Sequence, residues 1–514
     1  MKALLLHSDR DFAAERALPL QERDLMQDLA LPTLLKVMSR DDKFIFDVAR
    51  KALLNGMESD VETIRYRQAA LRDCLKNAQT VRQLYDLAAQ TLEKRRHSWF
   101  SAFTRSASSI MYGSIEALRM LADMLRRVRD LAAAQAGGFD SPAFRVLFET
   151  LQRECSEEYL SSIEQHLADL KLRYGMLLSA QLGAHNEGTK YVLRAPNEKP
   201  LGWLGRLLGP SPPGYSFRVH ERDEAGLAAL AEIQNQGINP VGNALAQSAD
   251  HVLSFFKMLH TELAFYVGCL NLHDALQPSG VPICFPDPEC PGMGHLQARE
   301  LRDTSLVLSM DQGGVGNALA ADGKNLIVIT GANHGGKSSF LRAIGLAQLM
   351  MQAGLFVTAE SFCAELCTGV FTHFKREEDA EMHHGKFDEE AARMRRIADA
   401  VHPRALLLFN ESFASTNERE GSEVARQVVR ALLEKHIRVL FVTHLYNFAH
   451  SLFVNRSDDM LFLRAERRED GSRTFRLVEN EPLDTSYGED LYQAVFGPPM
   501  QAVTQTTGDV ETGH

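Results

Sequence analysis

Gly331, Ala332, Asn333, His334, Gly335, Gly336, Lys337 and Ser338 stand consecutively and form the densest concentration of potential chemistry in the chain. An apolar run from Asn325 to Thr330 precedes them and reads as a buried strand, and a helix-like pattern begins directly after them. The order has a physical logic. Glycines let backbone N–H groups wrap phosphate oxygens, a helix start adds a favourable dipole, the lysine reaches the outer phosphates, and the serine hydroxyl ligates magnesium. The stretch therefore has the form of a phosphate-binding loop (P-loop), in which Gly331 to Ser338, together with Ser339, would hold ATP.

Two further strand ends carry matching chemistry. In "LLLFNESFAST", residues 406–416, a second buried strand (Ala405 to Phe409) ends in Asn410 and Glu411. A nucleotide-hydrolysing site needs one carboxylate near the magnesium shell and another to polarise the attacking water. Glu411 suits the second role, as general base. Asn410 offers a carbonyl oxygen to a magnesium-bound water but no charge, which implies retained geometry and weaker metal affinity. A third run, "RVLFVTH", ends in Thr443 and His444 and would set a sensor of the γ-phosphate or attacking water at the same sheet edge.

These residues need a scaffold, and composition bounds it. A chain of 514 residues implies more than one domain. With 45% hydrophobic and 24% charged residues it has the material of a globular protein rather than a disordered one. No apolar stretch approaches bilayer length, and "MKALLLHSDRDFAAER" turns polar too soon for a secretory signal, so a cytoplasmic protein with no membrane partner is expected. Seven scattered cysteines do not make a disulfide framework, and Cys363 and Cys367 lack a second pair with zinc-ligand spacing. A net charge of −11 argues against coating nucleic acid through bulk positive charge, though it leaves room for a local basic surface.

Between Pro32 and Pro196 the only proline is Pro142, in a segment rich in helix formers. After an N-terminal segment (1–44), residues 45–283 read as a helical domain. Within it, Leu160, Ile163, Leu167, Leu170, Tyr174 and Leu177 follow three-and-four spacing and predict one long helix with an apolar seam. From 184 to 222 the texture changes to prolines, glycines and aromatics among Lys190, Arg194, Lys199, Arg206, Arg218 and Arg222, which predicts a loop or small hairpin inserted into the helical domain. Basic residues interleaved with Tyr191, Trp203, Tyr215 and Phe217 suit contacts to phosphates and sugars, or else a solvated connection whose aromatics fold back. Helical pattern resumes from 223 to 277, and residues 284–500 alternate strand and helix as an α/β domain, leaving 501–514 as a tail. The acidic run from Glu377 to Glu390, with His383 and His384, reads as a solvated loop and helix.

Taken together, these stretches resemble the ATPase domain of the DNA mismatch repair protein MutS family. "TGANHGGKSSFLRAIGLAQLMMQAGLFVTAESF" is similar to its phosphate loop and following helix, "NESFASTNEREG" to its magnesium-and-base segment, and "FVTHLYNFAHSL" to its sensor-histidine segment. "DTSYGEDLYQAVFG" resembles the family's Ser-Tyr-Gly stretch, here Ser486 to Gly488, and "ESDVETIRYRQAALRDCL" the opening of its helical core. The resemblance covers roughly residues 45 to 500. It implies an α plus α/β fold: a long-helix core and lever domain followed by an ABC-type P-loop ATPase. It also implies ATP and Mg2+ as cofactors, hydrolysis to ADP and phosphate coupled to DNA, and a homodimer formed through the ATPase domains.

Departures from the family's pattern shape the functional expectation. No Phe-x-Glu wedge for a mispaired base stands before residue 45, "HGKFDEEAARMRRI" lacks the Ser and Thr of the family's signature segment, and the clamp is reduced to residues 184–222. One reading is a DNA-associated ATPase that grips branched or distorted duplex by shape and backbone, opening and closing with nucleotide state. The other is a nucleotide-switched scaffold that binds a protein partner with little or no hydrolysis.

Overall fold

The computed structural model describes residues 1–99, 107–172, 175–185, 187–194, 215, 218–310, 313–376, 385–468 and 471–484. The first part of the chain is helical: α1 (Glu22–Asp28), α2 (Leu31–Ser39), α3 (Lys43–Leu54), α4 (Val61–Lys76), α5 (Ala78–Trp99), α6 (Ala107–Gln135), α7 (Pro142–Glu154) and α8 (Glu157–Asp169). A hairpin of β1 (Leu177–Leu182) and β2 (Gly188–Arg194) follows, then the 53-residue α9 (Glu224–Leu276). Strands and helices then alternate: β3 (Asp287–Glu289), β4 (Leu296–Leu301), α10 (Thr304–Ser309), β5 (Asn317–Ala320), β6 (Leu326–Gly331), α11 (Lys337–Ala353), β7 (Ser361–Glu365) and β8 (Val370–Phe374). The series closes with α12 (Lys386–Ala400), β9 (Leu406–Asn410), α13 (Glu418–Glu434), β10 (Arg438–Val442), α14 (Tyr446–Val454), β11 (Met460–Arg467) and β12 (Arg473–Glu479). All seven cysteines are free. No helix among the described residues is long and apolar enough to cross a membrane.

Two compact units emerge, and both are discontinuous in sequence. One comprises Met1–Arg16, Val37–Ala52 and Arg65–His273; the other comprises Ala17–Lys36, Leu53–Ile64 and Asp274–His514. The first 44 residues, expected to form a segment of their own, are thus divided between the two.

In the helical unit, Ser141 and Ser156 cap α7 and α8 through hydroxyls that accept from Phe144 N and Tyr159 N. Phe255, Phe256, Leu259, Leu263, Phe265 and Tyr266 of α9 are buried. The first residues of the chain are bound to this helix and to α4 through buried polar anchors. Glu262 accepts from Leu5 N at 2.6 Å and Phe12 N at 2.9 Å, Tyr266 donates to Leu5 O at 2.6 Å, and Arg67 donates to Leu6 O at 2.8 Å. A loop cannot be buried unless its backbone groups find partners, and these side chains supply them.

The long seam helix does not form as expected. Leu160 and Leu167 are buried as the seam requires, but α8 stops at Asp169. Leu172 and Gly175 adopt left-handed φ values of 49° and 95°, and Leu177 begins a strand paired to Arg194. Seam periodicity says nothing about a partner strand eleven residues further on, and that pairing decides the conformation of Leu177. Tyr174 lies outside the described residues, as do most of the expected insert, the acidic run from 377 to 384, Ser486 to Gly488 and the tail. The hairpin β1–β2 stands between α8 and α9, and α9 begins at Glu224.

In the α/β unit a six-stranded sheet runs in the order β12-β11-β6-β10-β9-β8, parallel except for the β11–β12 pair. A four-stranded sheet, β3-β7-β4-β5, joins it where Asn317 bonds Phe475 O and Leu477 N. The central strands of the larger sheet are covered on both faces. Val328, Leu407, Phe409, Val439 and Phe441 pack with Met394, Ile397, Ala425, Val429 and Phe448 on one side, while α11 buries nearly its whole length on the other. This two-sided burial explains why these strands are unbroken apolar runs rather than alternating ones. Helix α1 covers the β8 edge, where Arg376 pairs with Asp24 at 2.7 Å and Asp28 at 3.1 Å.

Replacing Glu262 by Ala would strand two amide donors in the helical core, at about 1–3 kcal/mol for each unsatisfied group. Chemical denaturation of Glu262→Ala is expected to show a loss of about 2–6 kcal/mol, with Glu262→Gln losing less because its amide oxygen still accepts one bond.

Candidate active site

Strand register brings the three sequence motifs together. Val442 of β10 pairs with Ile329 of β6 on one side and Asn410 of β9 on the other, and Asn410 also pairs with Phe374 of β8. The turn after β6, the Asn410–Glu411 pair and the Thr443–His444 pair therefore leave the sheet side by side at its C-terminal edge. In an open parallel sheet that edge is where ligands bind.

The glycine-rich turn has its shape for specific reasons. Gly331 closes β6 at φ 108°, and a Cβ there would stand 2.8 Å from Ala465 N. Gly336, at φ 89°, occupies the position before the first residue of α11. Lys337 is 4% exposed, and its ammonium donates to Gly331 O and Ala332 O, each at 2.9 Å. Burial pushes its pKa down to about 8, while the Glu411 carboxylate works in the opposite direction. Ser338 Oγ donates to Asn410 Oδ1 at 2.9 Å. Glu411 Oε1 accepts from His444 Nε2 at 3.0 Å, and this bond is the main reason its carboxyl is held below the usual range. The proton is assigned to that ring nitrogen because a carboxylate can only accept.

A cleft of about 930 Å³ opens over the turn, and Asn333, His334, Gly335, Gly336, Lys337, Ser338, Ser339 and Glu411 line one side. Ala332 lies beneath, contributing its carbonyl to Lys337. Leu306, Met310, Val315, Asn317 and Phe475 form part of the remaining lining, and sequence patterning did not single them out. They come from α10, the β5 region and β12, so only the folded arrangement joins them. The oxygens of Ser338 and Asn410, 2.9 Å apart, are hard donors of the kind that suits a divalent cation such as Mg2+.

The turn after β9 stores strain. Glu411 and Phe413, neither of them glycine, take φ values of 54° and 62°, at a cost of about 1–3 kcal/mol each. Several contacts hold this geometry in place. Glu411 N donates to Val442 O at 2.9 Å, and Gly421 packs so closely on Phe413 O that a Cβ would approach to 2.3 Å. Phe413 stacks on the buried His373 ring, with centroids 5.4 Å apart. His373 Nδ1 lies 2.7 Å from Ser412 Oγ, and Nε2 lies 3.1 Å from the Glu390 carbonyl. Ser412 Oγ also donates to the His373 carbonyl, so residue 373 is tied to Ser412 through both ring and backbone, and burial pushes the His373 pKa down to about 4. Glu390 does not match the solvated helix expected of the acidic run. It is 5% exposed and accepts from Phe413 N at 3.1 Å and Ser415 Oγ at 3.2 Å. Its place on the inward face of α12, beside Arg393, Met394 and Ile397, explains the difference.

Two protein families match this chain: the MutS2 N-terminal domain over residues 59–279 and MutS domain V over residues 327–511. Among individual relatives, it is 25% identical over 347 residues to an endonuclease MutS2 of Streptococcus equi subsp. equi, covering 66% of this chain and 42% of the relative. It is 30% identical over 252 residues to MutS protein homolog 4 of Mus musculus, covering 47% and 25%. With a DNA mismatch repair protein MutS of Thermus thermophilus it shares 29% identity over 178 residues, covering 35% and 22%. The matched region is thus less than half the length of each of these relatives.

The depressed Lys337 pKa has a measurable consequence. A phosphate set against the ammonium favours the charged form, so binding takes up a proton wherever the free lysine is neutral. ATP affinity is expected to be steady below about pH 8, then to weaken by up to about tenfold per pH unit above it. Calorimetric titration at pH 9, in buffers of differing ionisation enthalpy, counts the protons, and an absence of uptake would contradict this account.

Proposed function

This chain belongs to the MutS family, and from that premise we propose that it is an ATP-hydrolysing, DNA-associated protein whose α/β unit is an ABC-type P-loop ATPase. One observation carries the reading: Lys337, Ser338 and Glu411 line one cleft, and Asn410 and His444, at the ends of neighbouring strands, bond Ser338 and Glu411.

In this reading the turn from Gly331 to Ser339 cradles the phosphates of ATP with backbone N–H groups, and Lys337 exchanges its two carbonyl partners for phosphate oxygens. The apolar lining from Leu306, Met310 and Phe475 suits the base. Mg2+, when bound, offsets phosphate charge and orients the nucleotide. Ser338 and Asn410 are placed to hold it, with Asn410 as an outer-shell contact. Glu411, ionised at neutral pH, accepts a proton from the attacking water, and His444 keeps that carboxylate oriented and senses the γ-phosphate. Asn410 contributes geometry without charge, so metal affinity falls while positioning persists.

The hairpin β1–β2 would be the DNA-contacting element of the helical unit. Its strands bury little on either face, and Lys190 and Arg194 project from it. Such contacts read backbone and shape, which suits branched or distorted duplex. The relatives include proteins named for DNA mismatch repair, and recognition of disturbed pairing is the substrate class proposed here. A homodimer formed through the α/β units, located in the cytoplasm and opened or closed by ATP, completes the reading.

Single-turnover hydrolysis across a magnesium titration tests the active site. Glu411→Ala is expected to lose about 100-fold or more in rate, in the range of a missing general base. Asn410→Asp should lower the magnesium concentration needed without a comparable change in rate at saturation. A native protein that binds ATP but does not turn it over at saturating magnesium would favour the nucleotide-switched scaffold.

Binding of branched duplex, measured by gel shift from low to high salt, tests the DNA reading. Each phosphate contact contributes about −0.9 to the slope of log K against log salt. Lys190→Ala and Arg194→Ala should each reduce the slope by about one, and binding indifferent to salt would rule this reading out.

A further inference from the structure

Glu390 is a carboxylate withdrawn from solvent on the helix preceding β9, and it does not line the nucleotide cleft. It bonds the backbone of Phe413 and the hydroxyl of Ser415, two and four residues beyond Glu411. The same helix holds the neighbourhood at two more points: the Glu390 carbonyl faces His373 Nε2, and Arg393 donates to Phe374 O at 2.8 Å. Burial raises the carboxyl of Glu390, a consequence of seating it in this core.

The left-handed residues on either side of Ser412 explain why such an anchor is needed. Glu411 and Phe413 cannot rest at φ 54° and 62° unless something outside the turn holds them. The bond from Phe413 N to Glu390 fixes the second of these residues from a different secondary-structure element. Without it, Phe413 loses its hydrogen-bond anchor on α12 while Glu411 N stays on Val442 O, and a shift at Phe413 is passed along the strained turn to the Glu411 side chain. We infer that Glu390 is a positioning residue for hydrolysis, clamping the 411–415 turn so that Glu411 stays aimed into the cleft while taking no part in binding nucleotide. The inference rests on the ATPase reading above, in which Glu411 is the base.

The experiment separates rate from affinity. Glu390→Ala, Glu390→Asp and Glu390→Gln, with exposed Arg396→Ala on the same helix as a control, are compared in single-turnover ATP hydrolysis and in equilibrium binding of a fluorescent ATP analogue. Glu390→Ala is expected to slow hydrolysis by ~10- to 100-fold, the scale of a misplacement of about 1 Å, with ATP affinity changed less than about threefold. Glu390→Gln keeps an acceptor for Phe413 N and should recover most of the rate. Should Glu390→Ala fail to fold, Glu390→Asp decides: it keeps the charge and loses the reach, and a tenfold or greater loss is expected at unchanged affinity.

Hydrolysis at the native rate in Glu390→Ala, or in Glu390→Asp if the alanine variant does not fold, overturns the inference. So does loss of ATP binding in step with rate, which marks a purely structural role. Failure of the underlying reading looks different: Glu411→Ala would then hydrolyse ATP as fast as the native chain.

Discussion

The alignment of three parallel strand ends is the constraint on which the site depends. Ile329, Val442 and Asn410 stand in adjacent positions across β6, β10 and β9, so the residues that follow them emerge at one level. A one-residue slip of β9 would turn Leu407 and Phe409 out of their core and carry Asn410 away from Ser338. Core packing and site geometry are therefore one specification. Phe409 stacks on Phe441 with centroids 4.7 Å apart, and that contact fixes the same register that sets Asn410 beside Val442.

From this edge outward, rigidity gives way to stored strain. The turn after β6 meets most of its unusual backbone angles with glycines at 331 and 336, with His334 the one side-chain-bearing residue at positive φ, whereas the turn after β9 meets them with Glu411 and Phe413. Glycine costs little in such conformations; glutamate and phenylalanine need external support. That support is a buried polar cluster of His373, Ser412, Glu390 and Arg393, completed by the close approach of Gly421. A half-satisfied cluster would be worse than an apolar one, and here the residual mismatch is small: among the described residues, the buried Arg393 Nε has no hydrogen-bond partner.

What could be read from sequence divides along the same line. Strands β6, β9 and β10 were legible because burial on both faces writes them as unbroken apolar runs between turn residues, and the glycine-rich turn because its spacing serves one purpose. The extent of α9 was legible because its apolar pattern outlasts Pro240. Features decided by distant partners were not. The end of α8 depends on β2, the division of the N-terminal segment depends on Glu262 at one end and Arg376 at the other, and the far lining of the cleft gathers Leu306, Met310 and Phe475 from separate elements. Glu390 sat in an acidic run whose composition suggested solvent. Only the inward face of α12 identifies it as a buried anchor.

Asparagine at position 410 also follows from the electrostatics of this edge. Lys337 is already costly to keep charged in its buried position, and Glu411 is the carboxylate that offsets it. Glu411 in turn is held ionised mainly by its bond to His444. A second carboxylate at position 410 would stand directly beside Glu411 and meet Ser338, a neutral donor, rather than a cation. That arrangement would raise the cost of keeping both acids ionised. With asparagine the edge needs no further counter-charge, and its side-chain oxygen accepts from Ser338 within the protein. Asn410 thus joins the end of β9 to Ser338 without adding charge beside Glu411.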